Sequence, residues 1–149
     1  MQELIDKFEW VEWDKKDLPS ASREDIERLE REIGFKIPED YVEVVRLHPG
    51  RKPLPGKHIA DGSGSSLGEL YHFHGQLDSG RLGWGDFINE GTDLSLLPFS
   101  RDGGGNFFAF DYGNDPRNAN PKVVFWDHET RKVTKLADSF RELLDQLNN

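Results

Sequence analysis

Cysteine is absent from the 149-residue chain. That excludes a disulfide framework, a thiol nucleophile and a thiolate metal site, and it fits a reducing cytoplasm. Long apolar runs are absent as well, none approaching the ~20 residues that a bilayer span requires. The opening Met1-Gln2-Glu3-Leu4 carries an acid where a secretory leader has a basic region and an apolar stretch. Neither a membrane span nor a signal peptide is expected. Positive charge is scarce: 19 Lys and Arg stand against 28 Asp and Glu, a net charge of −9. A chain this acidic repels phosphate backbones and attracts basic partners, which speaks against nucleic acid as a ligand.

What is present suffices for a core. Hydrophobic residues make up 35% and charged residues 32% of the chain, and 10 Phe, 4 Trp and 3 Tyr supply bulk for the interior. The length suits one domain and is too short for two ordinary ones. The acid excess is uneven: residues 1–50 carry 14 acids and 8 bases, whereas residues 101–149 carry 8 and 7. The amino-terminal third therefore holds most of the negative charge.

Periodicity assigns the elements. Leu4, Ile5 and Phe8 suit a short helix, and the stretch from Phe8 to Trp13 suits a short strand equally well. Ser22 stands three residues before Asp25 in capping-box spacing, and Ile26, Leu29 and Ile33 follow at helical intervals. Gly34 sits where a left-handed carboxyl cap is wanted. Pro38, followed by Glu39 and Asp40, opens the first turn of a second helix that runs to about Leu47, with Tyr41, Val44, Val45 and Leu47 on its apolar face. Residues 49–66, rich in Pro, Gly and Ser, read as a long loop, and residues 1–20 as an amino-terminal extension. Leu70-Tyr71-His72-Phe73 is strand-like, and Trp84 to Asn89 suits a short helical turn. The period then changes. Residues 94–99, 106–110, 123–126 and 132–136 form four strands of an antiparallel meander, joined at one end by Asp102-Gly103-Gly104-Gly105 and at the other by Asp127-His128-Glu129-Thr130. Ser139 and Glu142 make another capping box ahead of Phe140, Leu143, Leu144 and Leu147. The expected fold is α+β: a single domain with a mostly antiparallel sheet on which an amino-terminal helix pair and a carboxyl-terminal helix pack.

These residues carry a resemblance. Gly34-Phe35-Lys36-Ile37-Pro38-Glu39-Asp40-Tyr41, after a charged amphipathic helix, resembles the Gly-x-x-(Leu/Ile)-Pro-x-(Asp/Glu)-(Tyr/Phe) motif of the SUKH superfamily. Leu97 to Asn106, Val124 to Glu129 and Leu136 to Phe140 agree with it in order. The resemblance implies a non-enzymatic α+β domain. Many bacterial members are immunity proteins that bind and block a cognate toxin, often a nuclease, and fungal relatives act in cell-wall assembly signalling. It brings no catalytic residues, and its motifs look structural.

Residue chemistry supplies few rivals. On a strand His72 and His74 would point to one side, as two metal ligands could, but two ligands do not make a site, and surface or hydrogen-bonded histidines account for them. Asp111-Tyr112-Gly113-Asn114-Asp115 gathers oxygen ligands, yet position twelve of a calcium loop is Lys122 rather than Glu, so Asx turns are preferred. Gly62 to Gly68 lacks the spacing and the Gly-Lys-Ser/Thr of a phosphate cradle. Asp102 beside Gly103-Gly104-Gly105 opposes an anion there. Gly64-Ser65-Ser66-Leu67-Gly68 has Gly-x-Ser-x-Gly spacing, but no strand of note precedes it as a nucleophile elbow requires, so no catalytic residue, metal or cofactor is assigned.

Aromatics divide into two sets. Tyr41, Phe107, Phe125 and Phe140 fall in periodic apolar patterns and belong to the core, whereas Trp10, Trp13 and Trp84 lie in acidic or Gly-rich surroundings. The expectation is an intracellular module that holds a basic protein toxin, with a regulatory or scaffold module as the alternative and a small hydrolase or ligand-binding enzyme behind both. Candidate partner-binding residues are Trp84, Asp86, Glu90, Asp111 and Asp115, with Glu9, Glu12 and Asp14 beside Trp10 and Trp13 as a rival patch.

Overall fold

The computed structural model describes residues 1–11, 18–56, 66–74 and 80–147. In chain order the elements are α1 (Gln2–Ile5), β1 (Glu9–Val11), α2 (Arg23–Ile33), α3 (Glu39–Leu47), β2 (Lys52–Leu54), a 3-10 turn (Asp86–Asn89), β3 (Leu96–Arg101), β4 (Phe107–Asp111), β5 (Lys122–Trp126), β6 (Val133–Ala137) and α4 (Phe140–Leu147). The fold is α+β, with β3-β4-β5-β6 as an antiparallel meander and β1-β2 as a small antiparallel pair.

Local chemistry starts α2. Ser22 is extended; its Oγ accepts the Asp25 N–H at 3.1 Å, and the Asp25 carboxylate accepts the Ser22 N–H at 2.9 Å. At the far end Gly34, at φ 82° and ψ 11°, is left-handed, which costs a residue with a Cβ and costs glycine little. Pro38 stands one place earlier than its sequence suggests. It is the N-cap of α3, not its first helical residue, because its ψ of 137° leaves it extended while its carbonyl already accepts the Val42 N–H at 3.0 Å.

Two side chains fix this corner to the rest of the molecule. Glu30, on the interior side of α2, accepts the buried Ile37 N–H at 2.7 Å and stands 3.7 Å from Lys36 Nζ. Tyr112, just past β4, donates its hydroxyl to the Lys36 carbonyl and packs its ring on Phe35. Burial drives the Tyr112 phenol far above its ordinary range. Lys36 N–H in turn donates to the Pro116 carbonyl at 2.9 Å, so the residues after β4 are laced to the α2–α3 corner.

Alternation along β4 separates two layers of aromatic contacts. On the helix side, Phe110 meets Tyr41, Phe99 and Phe140 at 4.5 to 6.2 Å, and the fully buried Tyr41 is the hub of that cluster. The Tyr41 hydroxyl donates to the Tyr71 carbonyl at 2.7 Å, and burial holds this phenol protonated well beyond its usual range. Each such ring withdrawn from water contributes roughly 1.5–3 kcal/mol. On the opposite face Phe107 meets Trp84, Phe87 and Trp126. The Asp40 carboxylate accepts the Tyr41 N–H at 2.8 Å and the Arg141 N–H at 3.0 Å, joining the starts of α3 and α4.

Four further expectations need correction. Leu70–Phe73 is not a strand, because its backbone donors go separately to Arg51 and Phe99 carbonyls, and His72 forms only an isolated parallel bridge with Arg81. The loop expected over 49–66 contains β2, whose Pro53 pairs with Trp10 on a sheet of two strands where no further ladder needs its missing N–H; residues 57–65 lie outside the described residues. At α4, Ser139 Oγ accepts the Glu142 N–H at 3.1 Å, but the Glu142 carboxylate reaches back to Asp138 N–H rather than to Ser139, so the box is displaced by one residue. The first meander strand begins at Leu96, not Leu94, and carries an irregularity between Pro98 and Ser100. The open alternative at the amino terminus resolves to both forms, a helical turn followed by a three-residue strand.

Candidate functional site

Trp84, Asp86, Glu90 and Asp111 lie along the outer face of the β3–β4 hairpin, whereas Asp115 lies past β4 in the stretch tied to the α2–α3 corner and is not brought together with them. The 3-10 turn runs beside β3: the Gly85 Cα hydrogens point at Pro98, where an added Cβ would come within 3.1 Å of that ring. At one end of the pair, where Arg101 registers with Phe107, the Trp84 ring lies 5.8 Å from Phe107 and 5.7 Å from Phe87, with the Arg101 guanidinium 5.6 Å from its centroid. At the other end the Asn89 carboxamide grips Leu96 from both sides, donating to its carbonyl at 2.8 Å and accepting its N–H at 2.9 Å. Leu96 registers with Asp111. Glu90, which follows Asn89, therefore comes to the Asp111 end, while Trp84 stands at the far end of β3, which rises ~17 Å from Leu96 to Arg101.

Three of the four candidate carboxylates have a described setting. Glu90 is exposed, and its N–H closes the turn onto the Phe87 carbonyl at 3.1 Å. Asp111 Oδ1 accepts the Gly113 N–H at 2.9 Å, and Asp115 Oδ1 accepts the Arg117 N–H at 3.0 Å, which are the Asx turns preferred over a cation loop. Asp86 opens the 3-10 turn, and its side chain lies outside the described residues. Trp84 is half-buried rather than a freely projecting anchor, since its ring is folded onto the sheet. The exposed aromatic of this face is Phe87, 45% accessible, which sequence reasoning passed over because it lies between Asp86 and Ile88 without periodic company.

The rival amino-terminal patch is only partly described. Glu9 is exposed opposite Leu54 in the β1–β2 pair. Trp10 folds inward, donating its indole N–H to the Ile5 carbonyl at 3.1 Å and stacking on His48 at 4.7 Å. Burial, with the Arg51 charge adding to it, lowers the His48 pKa and favours the neutral ring. Glu12, Trp13 and Asp14 lie outside the described residues.

The histidine pair is not on a strand that would set both rings on one side. His74 donates its backbone N–H to His72 Nδ1 at 3.2 Å, which occupies that ring nitrogen. Among the described residues no three His, Asp or Glu side chains gather as a metal would require, and no helix is long and apolar enough to cross a membrane. Two grooves of about 370 and 360 Å³ flank Arg141 near Met1, lined by charged side chains of both signs, and none of the candidate residues borders them. Arg81, nearly buried, donates to Glu32 at 2.7 Å and holds that carboxyl below its usual range.

The hairpin tips are joined too. Asn106 Nδ2 donates to Asp102 at 3.0 Å, which orients its oxygen toward the His128 N–H at 3.0 Å and His128 Nδ1 at 2.7 Å. That orientation places the proton on Nδ1. Gly34, Pro38 and the turn after Asp102 thus act in the scaffold, as the motif resemblance implied.

Neither the curated proteins nor the solved structures provide a match to this chain. A family does: residues 20–146, which take in the capped α2, the Gly34–Pro38 corner, the meander and nearly all of α4, match the SMI1 / KNR4 family (SUKH-1), and the chain belongs to that family.

Proposed function

We propose that the protein is an immunity protein that binds a cognate toxin in the cytoplasm and blocks it, the toxin being a basic domain and a nuclease in the first instance. The observation that carries the reading is the family match across 20–146 in a chain of net charge −9. A positively charged groove that a nuclease offers to nucleic acid is complementary to a carboxylate-bearing face. Occupying that groove excludes substrate by bulk, and the opposite charges speed encounter. Trp84, Asp86, Glu90, Asp111 and Asp115 are the proposed contact residues, and no group in the chain is asked to make or break a bond.

Cell protection tests the proposal. If a neighbouring gene encodes a toxin-like domain, co-expression with this chain should restore the growth that the domain arrests, and the two purified chains should co-elute as one complex. Growth arrest that persists at full expression of this chain, with no complex formed, would leave a regulatory module for another protein partner as the better reading.

A further inference from the structure

Residues 84–94 form a wound ledge that presents apolar side chains to solvent without being loose. Phe87 is 45% and Leu94 39% accessible. Backbone bonds run from Ile88 to Gly85, from Glu90 to Phe87 and from Thr92 to Asn89, and the two-point grip of Asn89 on Leu96 closes the segment onto β3. Gly85 and Gly91 take positive φ of 95° and 72°, so the path is one that glycine makes cheap. Phe87 itself stands edge-on to Trp84 and Phe107, at 5.7 and 5.8 Å. An exposed aromatic already held in place loses little side-chain entropy on binding, and aromatic anchors of this kind dominate interface energies.

The surrounding charge selects the occupant. Residues 82–100 contain no Lys or Arg and carry Asp86, Glu90 and Asp93; Glu90 and Asp93 are exposed, and the cation that borders the ledge, Arg101, is stacked on Trp84 with its guanidinium 5.6 Å from the ring centroid. A second copy of the chain would bring the same acids against themselves across a two-fold axis, at a net charge of −9 on each copy. We propose that this ledge is a docking site for a basic protein segment that places an apolar side chain on Phe87, between Lys or Arg residues directed at Glu90 and Asp93. The proposal rests on the reading of the chain as a protein-binding module and deepens it by naming the surface and the chemistry of the partner.

A library of random peptides displayed on phage, selected against the whole immobilised protein, tests it. Enriched peptides should combine an apolar residue with flanking Lys or Arg. Their affinity should fall at least about tenfold for Phe87→Ser and for the double reversal Glu90→Lys/Asp93→Lys. Both variants change exposed positions, and unchanged melting temperatures establish that they fold. Failure to enrich any peptide, peptides without a basic preference, binding indifferent to both variants, or a dimer in sedimentation that Phe87→Ser dissolves would each overturn the proposal. The same variants in the cell-protection assay separate it from the immunity reading. Protection that survives both variants overturns the ledge and spares immunity, whereas Phe87-dependent peptide binding without any protection by the unmutated chain supports the ledge and counts against immunity.

Discussion

Glu30→Ala probes the corner on which the fold turns. The carboxylate is only 6% accessible, and it is the acceptor for the N–H of Ile37, itself fully buried. Truncation leaves that N–H without a partner in a site closed to water, which costs about 1–3 kcal/mol. Lys36, a third exposed and 3.7 Å away, can rehydrate and adds little. The better helix propensity of alanine returns a few tenths of a kcal/mol. A net loss of about 2 kcal/mol is expected, equivalent to a fall of roughly 4–8 °C in melting temperature for a domain of this size. Glu30→Gln keeps an oxygen where the carboxylate stood and should lose less than about 1 kcal/mol. Urea denaturation followed by tryptophan fluorescence measures both. An alanine variant within about 0.5 kcal/mol of the parent, or one indistinguishable from glutamine, would refute the assignment of Glu30 as the acceptor that closes the corner.

Three further outcomes follow from named groups. Gly34→Ala should cost about 1 kcal/mol from its left-handed backbone alone, since nothing lies within 4 Å of the added Cβ; Gly68→Ala, whose Cβ would meet the Arg101 carbonyl oxygen at 2.3 Å, should cost more, toward the top of the roughly 1–3 kcal/mol of overpacking. Equal denaturation midpoints for the two would contradict this ordering. Burial raises all three phenols, Tyr71 up to about 12, with Tyr41 and Tyr112 also held well above their ordinary range. The folded state thus retains protons that the unfolded state releases near pH 10, so this stability is complete below pH ~10 and is lost as pH rises above it; ultraviolet titration should show tyrosinate appearing together with unfolding, and a phenol that titrates near 10 in the folded protein would contradict it. The purified chain should show no nuclease, phosphatase or esterase turnover, and an activity that co-purifies with it and vanishes on mutation of one acid or histidine would defeat the binding reading.

Local signals were readable wherever both partners of an interaction lie within a few residues. Ser22 with Asp25, Gly34 as a left-handed cap, and the alternation of the four meander strands all depend on neighbours in sequence. Glu30 was illegible because an acid inside an amphipathic helix reads as a solvated position, and its partner N–H arrives only after the chain has turned at Gly34. Leu70–Phe73 alternates like a strand, yet its backbone partners belong to two unrelated segments, and no local pattern encodes that. β2 was hidden by Pro53, which a sequence reader takes as a strand breaker and which an isolated two-stranded sheet accommodates. At the candidate surface Trp84 drew notice by its bulk and its acidic neighbours, but its packing on Phe107 and the exposure of Phe87 are set by how the 3-10 turn lies across β3. The resemblance seen in the Gly34–Tyr41 motif agrees with the family match over 20–146.

Electrostatic capture of a basic toxin by an acidic face of the chain is the function we propose. Its most direct test is the association rate constant, measured by stopped flow, between this protein and whichever candidate toxin domain a neighbouring gene is found to encode, as ionic strength rises from 0.1 to 1 M. Over that range the Debye length falls from ~10 to ~3 Å, and the rate should drop steeply while the dissociation rate changes much less. An association rate that does not respond to salt would contradict electrostatic capture, and the absence of any complex at low salt would contradict the binding function itself.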